Sequence, residues 1–154
     1  MDQVTGPRLD DQLCFAVYAA TNALTRAYRP LLGTIGLTYP QYLVLMVLWQ
    51  DGTRSVQAIG DRLRLGASAI TPLLDRLETA GFVVRGRSET DRRVVLVTVT
   101  AAGQALQAQV TVAQQNVVCQ SGLLPEAMNQ LRQDLLALVE RLDPTGTTVD
   151  AKTG

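Results

Sequence analysis

Residues 55–100 read SVQAIGDRLRLGASAITPLLDRLETAGFVVRGRSETDRRVVLVTVT, and this stretch decides the fold. Ser55 can cap a helix, VQAIGDRLRL, that is expected to end at Gly66. A second helix follows almost at once. Either Ser68 caps it, or Thr71 does so with Pro72 behind it, and Gly81 closes it. Ile70, Leu73, Leu74 and Leu77 form its apolar face. Two helices joined by a very short turn with glycine are a helix-turn-helix. Next come two runs rich in β-branched residues, Phe82–Arg85 and Val94–Val99, around a charged segment. They predict a β-hairpin with its tip near Ser88–Arg92. The stretch is a winged helix-turn-helix.

Working outward, Leu13, Val17, Ala20, Leu24, Ala27 and Leu31 recur at alternating steps of four and three. They predict one helix over Leu9–Leu32, with Asp10 and Asp11 at its positive end and a kink or stop at Pro30. A helix beginning near Pro40 carries QYLVLMVLW and stops near Asp51-Gly52; apolar all round, it is expected at the centre of the core. Thr100 can cap a long helix striped by Leu106, Val110, Ala113 and Val117. A last helix from Pro125 to Leu142 is striped by Met128, Leu131, Leu135, Leu138 and Leu142. The fold class is therefore mainly α with a small β-wing. Helices in 9–36 and 101–142 flank a winged head at 40–99, and 143–154 is expected to be a disordered tail. The outer helices carry more apolar surface than a small head can cover, and a second copy would bury it as a homodimer.

Composition narrows the function. The 154 residues suffice for one cored domain and contain no apolar run long enough to span a membrane. The polar, acidic start MDQVTGPRLDD lacks the features of a signal peptide, which points to the cytoplasm, where thiols stay reduced. Two isolated cysteines, no histidine and no paired-cysteine motif imply neither a disulfide framework nor a metal site, and no cofactor is implied. Net charge is zero, but between Thr53 and Arg93 eight arginines face five acids. Arginine suits bidentate contact with phosphate or guanine. On the second helix of the pair, Ser68, Ala69, Thr71, Asp75, Arg76 and Thr79 lie off the core face, and the wing offers Arg85, Arg87, Arg92 and Arg93. These are the candidate contacts to double-stranded DNA, with Asp75 opposing phosphate.

The segment LRLGASAITPLLDRLETAGFVVRGRSETDRRVVLVTVTAAGQAL resembles the DNA-binding core of the multiple-antibiotic-resistance regulator (MarR) family. The wing's D-x-R stands as Asp91-Arg92-Arg93, and T-x-x-G as Thr100 to Gly103. The front end, with LCF…Y, AYRPLL and LTYPQYLV, resembles the organic-hydroperoxide-resistance regulator (OhrR) branch. That resemblance implies a homodimeric repressor that binds operator DNA when reduced and leaves it after an organic hydroperoxide oxidises a cysteine to sulfenic acid. It implies Cys14 as the sensor, with Tyr28 and Tyr39 as its hydrogen-bonding tyrosines and Tyr18 as a third pocket tyrosine. It further implies Cys119 as the second cysteine of a two-cysteine type, pairing across subunits. Two residues depart from the family pattern: Gly66 replaces the usual acid and Asp75 the usual lysine, which leaves the operator open.

Read from the residues alone, a cysteine in an apolar helix is a packing residue, and Cys119 after Val117-Val118 is the same. Cys14 and Tyr18 share a helix face. Cys14 and Tyr28, fourteen residues apart, would lie about 21 Å apart on one helix. A contact between them requires an antiparallel partner subunit. Leu13, Phe15 and Val17 around the thiol favour an organic peroxide. Three rivals stand beside this reading: a repressor answering a non-covalent aromatic ligand with inert cysteines, a thiol peroxidase, and a protein-interaction module that has lost DNA binding. No peroxidase motif accompanies the cysteines.

Overall fold

The computed structural model describes residues 6–144. Among them, six α-helices surround a three-stranded antiparallel sheet: α1 Leu13–Gly33, α2 Tyr39–Asp51, β1 Arg54–Ser55, α3 Val56–Leu63, α4 Ala67–Thr79, β2 Val83–Arg87, β3 Val95–Val99, α5 Ala101–Ser121 and α6 Pro125–Leu142. The expected winged helix-turn-helix is present.

Helix α2 is the hub. Thr38 caps it and Gln41 answers in a reciprocal capping box, the Thr38 N–H donating to Gln41 Oε1 at 3.0 Å. Tyr42, Val44, Leu45, Val47 and Leu48 are buried on several sides of it, as its all-round apolarity predicts. Tyr28 and Leu32 of α1, Ile59 of α3, Ile70, Leu74 and Leu77 of α4, Val83 and Val97 of the sheet, and Leu106, Val110 and Val117 of α5 complete one core.

The wing strands pair in the register Val83↔Val99, Arg85↔Val97, Arg87↔Val95. Sheet order is β1-β3-β2, the two-residue β1 pairing Arg54 with Val97 and Ser55 with Leu96. A two-residue strand carries no periodicity, so sequence gives no signal for it.

Four boundaries differ from expectation. The first helix is not continuous from Leu9. A 3-10 turn at Leu9–Asp11 is followed by extended Gln12, and α1 starts at Leu13, so Asp10 and Asp11 precede the helix rather than line its first turn. Cys14 is thereby the second residue of α1. Pro30 does not end α1, which runs on to Gly33 while Leu32 seats fully in the core. Helix α3 stops at Leu63, not at Gly66. Arg64 takes a left-handed conformation (φ 55°), and the Leu65 N–H wraps back to the Gly60 carbonyl at 2.9 Å. Gly60 permits that approach, since a Cβ there would lie 2.6 Å from the Leu65 carbonyl oxygen. Finally, neither Ser68 nor Thr71 caps α4. Gly66 holds the N-cap position without a side-chain bond, Pro72 lies within the helix, and Thr71 Oγ1 donates to the Ala67 carbonyl at 2.9 Å.

Thr100 caps α5 as expected, accepting from the Gly103 N–H at 3.1 Å, and Leu106, Val110, Ala113 and Val117 are buried. The stripe of α6 has no fully buried member, and Leu131, Leu135 and Leu142 are exposed. Of the expected disordered tail, Asp143 is the C-cap residue of α6, and residues 145–154 lie outside the described residues.

Candidate functional site

The head presents α4 and the wing on one side. Ser68, Thr71, Asp75, Arg76 and Thr79 are exposed on α4, and Ala69 is half-buried. A groove of about 410 Å³ runs between the start of α3, the start of α4 and the wing; Thr71, Arg85 and Arg93 line it with Ser55, Gln57 and Ala67. Gln57 was not singled out by sequence, because only the packing of α3 beside the wing places it there.

The wing arginines fall into two kinds. Arg85 is a strut. Its Nε and Nη2 donate to Glu78 Oε2 at 3.0 and 2.7 Å, and its own N–H donates to Glu78 Oε1 at 3.0 Å. Its Nη2 also reaches Asp75 Oδ1 at 2.7 Å. Hydrogen bonds from Arg85 hold the Glu78 carboxyl below its ordinary range. Arg85 therefore fastens β2 to α4 and is not a free cation. The same contact gives Asp75 a cationic partner, which answers its opposition to phosphate.

Arg93 is the other kind. The Asp91 carboxylate accepts from the Arg93 N–H, Nε and Nη2, each at 3.1 Å, and these bonds hold the Asp91 carboxyl below its usual range. Yet the Arg93 side chain is 90% exposed. An aspartate that fixes a solvent-facing fork leaves it oriented but available. Arg87 Nη1 donates to the Arg92 carbonyl at 3.0 Å, bracing the hairpin, and Arg76 and Arg92 are exposed.

The second cluster lies where α1 ends and α2 begins. The rings of Tyr28, Tyr39 and Tyr42 sit 5.2 to 5.8 Å apart. Burial is the main cause that pushes all three phenols above their ordinary pKa. They remain protonated hydrogen-bond donors at any physiological pH. Tyr42, on the apolar helix expected at the centre of the core, is buried and is also the third ring of this cluster. Half-buried Tyr39 faces a mainly apolar cleft of about 350 Å³ with Thr25, Arg29, Gly33, Leu37, Thr38 and Pro40.

Cys14 is not in that cluster. It stands in the first turn of α1, exposed, with Phe15 and Tyr18 exposed beside it, and Tyr28 lies fourteen residues along the same unbroken helix. At about 1.5 Å per residue this is roughly 21 Å. Cys119, near the end of α5, is also exposed, and both cysteines are free. One chain thus holds the two halves of the expected pocket apart. Its exposed apolar residues gather on the same outer helices: Leu13 and Leu24 on α1, Val112 and Val118 on α5, and the stripe of α6.

The MarR family model matches residues 37–95, from the residue before the α2 cap to the first residue of β3. The organic hydroperoxide resistance transcriptional regulator of Bacillus subtilis is 38% identical over 135 residues, 88% of this chain and 92% of that one. The chain belongs to the MarR family. This is a family of transcriptional regulators, not of enzymes. A further relative, the HTH-type transcriptional regulator TtmR of Methylorubrum extorquens, is 44% identical over 134 residues, 87% of this chain and 69% of that one. Among solved structures, the fold matches reduced AbfR bound to DNA with a TM-score of 0.72 at 32% identity, covering 88% of this chain and 94% of that one. The same protein, from Staphylococcus epidermidis, in its disulfide-formed state matches with a TM-score of 0.63 at 38% identity over 86% and 93%. Among the described residues, no helix of this MarR-family chain is long and apolar enough to cross a membrane.

Proposed function

We propose that this protein is a homodimeric, cytoplasmic, redox-sensing repressor that holds operator DNA when reduced and releases it after an organic hydroperoxide oxidises Cys14. The observation that carries the reading is the separation of Cys14 from the Tyr28–Tyr39–Tyr42 cluster along one unbroken helix. An antiparallel second copy would bring its Cys14, with Phe15 and Tyr18, to the cleft beside Tyr39. It would also cover the exposed apolar faces of α1, α5 and α6. On this reading 9–36 and 101–142 are dimerisation helices, and 40–99 is the DNA-binding head. The hydroperoxide-resistance relative and the reduced and disulfide forms of AbfR support the same direction.

The chemistry follows from the groups. A thiolate is the reactive form, and a first-turn position together with donating phenols stabilises an anion. The Cys14 sulfur attacks the terminal oxygen of the hydroperoxide. The O–O bond breaks, an alcohol departs with the proton, and sulfenic acid remains. The Cys119 thiolate of the partner then attacks that sulfur, forming the S–S bond and expelling hydroxide, which takes a proton to leave as water. The non-covalent ligand reading has a cleft between α2 and α5, lined by Tyr42, Met46, Trp49 and Gln107. At about 200 Å³ it is smaller than the roughly 300–1,000 Å³ of ordinary ligand sites.

The test is a non-reducing gel with intact mass, after one equivalent of organic hydroperoxide is added to reduced protein. A covalent dimer that disappears in both Cys14→Ser and Cys119→Ser is expected. A one-oxygen adduct on Cys14 without the dimer keeps the sensor and removes Cys119 from the mechanism. An unreacted Cys14 hands the function to the non-covalent reading.

The DNA face is proposed to use Ser68, Ala69, Thr71 and Arg76 on α4 and Arg87, Arg92 and Arg93 on the wing, with Asp91 and Arg85 as supports. Arg93→Ala is expected to weaken binding across sequences and to lower the salt slope of log K by about one. Arg85→Ala is expected to act through the wing's position. Its salt slope should stay near wild type while the hairpin amides exchange faster.

A further inference from the structure

We infer that Arg64 is a positioning residue that latches the end of α6 to the turn of the helix-turn-helix. The position of the last helix then sets the stance of the DNA-reading head. The inference rests on the DNA-binding reading above and goes beyond it.

Three observations meet at this residue. First, Arg64 is in the left-handed region at φ 55°, the one positive-φ residue other than glycine among the described residues. Glycine and asparagine take that conformation readily, whereas a long side chain there is disfavoured. Second, the conformation delivers the guanidinium to the far end of the chain. Nη2 pairs with Glu140 Oε1, and Nη1 donates to the Asp143 carbonyl at 3.4 Å and lies 3.9 Å from Asp143 Oδ2. Glu140 and Asp143 sit at the C-terminal, negative end of α6, where a cation is favoured. Third, α6 buries no side chain fully within its own chain. Little apolar packing fixes it to the head, so an ionic tie weighs more in deciding how the two move together.

Arg64 also lies between α3 and α4, three residues before Ala67, where α4 starts. A pull on its side chain acts on the first turn of α4, which carries Ser68 and Ala69. This is the physical form of coupling: one contact shared by two elements, each able to bias the other.

The test is a double-mutant cycle on reduced, full-length protein. The probe is a duplex that the wild type enriches from a random-sequence pool. Arg64→Gly keeps the left-handed backbone and deletes the guanidinium. Glu140→Gln with Asp143→Asn neutralises the other side, on a helix placed outside the DNA face. Each is expected to weaken binding by about five- to tenfold, with the combined variant no worse than either. The salt slope should be unchanged, and the charge exchange Arg64→Glu with Glu140→Arg should recover at least half of the loss. Hydrogen exchange at residues 64–67 should quicken in the Glu140/Asp143 variant, 73 or more residues away in sequence from the site of change.

If Arg64→Gly alone weakens binding and the salt slope falls by about one, Arg64 is a phosphate contact and the latch is overturned. Unchanged exchange at 64–67 overturns it as well. If no duplex is enriched by the wild type yet exchange at 64–67 responds, the latch stands and the DNA-binding reading fails.

Discussion

Cys14→Ser is expected to bind operator DNA like the wild type and to keep it bound after a hydroperoxide is added. The wild type should lose about 100-fold in affinity, toward the upper end of ordinary coupling between sites. The serine variant should move by no more than about twofold. A hydroxyl at position 14 keeps the size of the side chain but is a poor nucleophile toward peroxide at neutral pH, so the expected loss is of reaction and not of fold. Cys119→Ser separates the later step. Its Cys14 still accepts oxygen, so release should begin and then reverse with a small thiol, since no S–S bond traps the product. Tyr39→Phe tests the other half of the pocket. It removes a half-buried donor facing the cleft, so oxidation should slow several-fold while DNA binding before oxidation is unchanged. Fluorescence anisotropy on a labelled duplex, read before and after peroxide, reports all three variants. A wild type whose binding ignores peroxide would end the redox reading and leave the family assignment untouched.

The fold was legible wherever one local signal controlled an element. Ser55 and Thr100 cap the helices they were expected to cap, and the wing strands stand where β-branched residues cluster. The misjudged boundaries are those where the geometry of a turn, and not a residue type, decides. Helix α3 stops two residues early because Leu65 wraps back over Gly60, which a glycine at 66 does not reveal. Helix α4 starts without a side-chain cap because the turn delivers Gly66 directly. At the DNA face the residue types were readable, but their employment was not. Arg85 and Arg93 look alike in a string of wing arginines. Only the approach of α4 to β2 gives Glu78 and Asp75 to the first, while a local Asp91 orients the second. The thiol site was legible as a contradiction. Helix arithmetic forbids Cys14 from meeting Tyr28 within one chain, and the unbroken α1 upholds that arithmetic. What sequence did not show was that Tyr42 joins the tyrosines, because its ring reaches them only after α1 folds back on α2.

Gly103→Ala is expected to be the most damaging small substitution in the chain. Gly103 lies in the first turn of α5, where the helix docks on the head. A Cβ built there meets the Phe82 carbonyl oxygen at 2.2 Å, Val99 Cγ2 at 2.8 Å and the Phe82 carbonyl carbon at 3.0 Å. The Val99 methyl can turn away, but the Phe82 carbonyl cannot. It accepts the Thr100 N–H at 3.0 Å, while Thr100 Oγ1 donates to the neighbouring Gly81 carbonyl at 2.6 Å. On the other side, Trp49 Nε1 donates to the Gly103 carbonyl at 3.2 Å and ties the same turn to α2. Making room for one methyl therefore means lifting the start of α5 off the wing and the hub together. Overpacking costs about 1–3 kcal/mol and sometimes more, and a rigid backbone obstacle places this case at or above the top, about 3 kcal/mol. Set against a total of about 5–15 kcal/mol, that is a large fraction. At about 2–4 °C per kcal/mol for a chain of this size, Tm should fall by about 6–12 °C. Gly33→Ala is the matched control. Gly33 is helical and a Cβ there meets nothing within 4 Å. Reduced freedom in the unfolded chain should make that variant equal to the wild type or more stable by about 0.4–1 kcal/mol. Thermal unfolding at one fixed protein concentration, since dimerisation adds to apparent stability, separates the two. If Gly103→Ala melts with Gly33→Ala, the docking of α5 on Phe82 is not the rigid joint described. Because α5 is the element that continues from the wing into the outer helices, a second effect is expected. The destabilised variant should lose DNA affinity even at temperatures where it stays folded, since the joint that fails is the one that orients the wing.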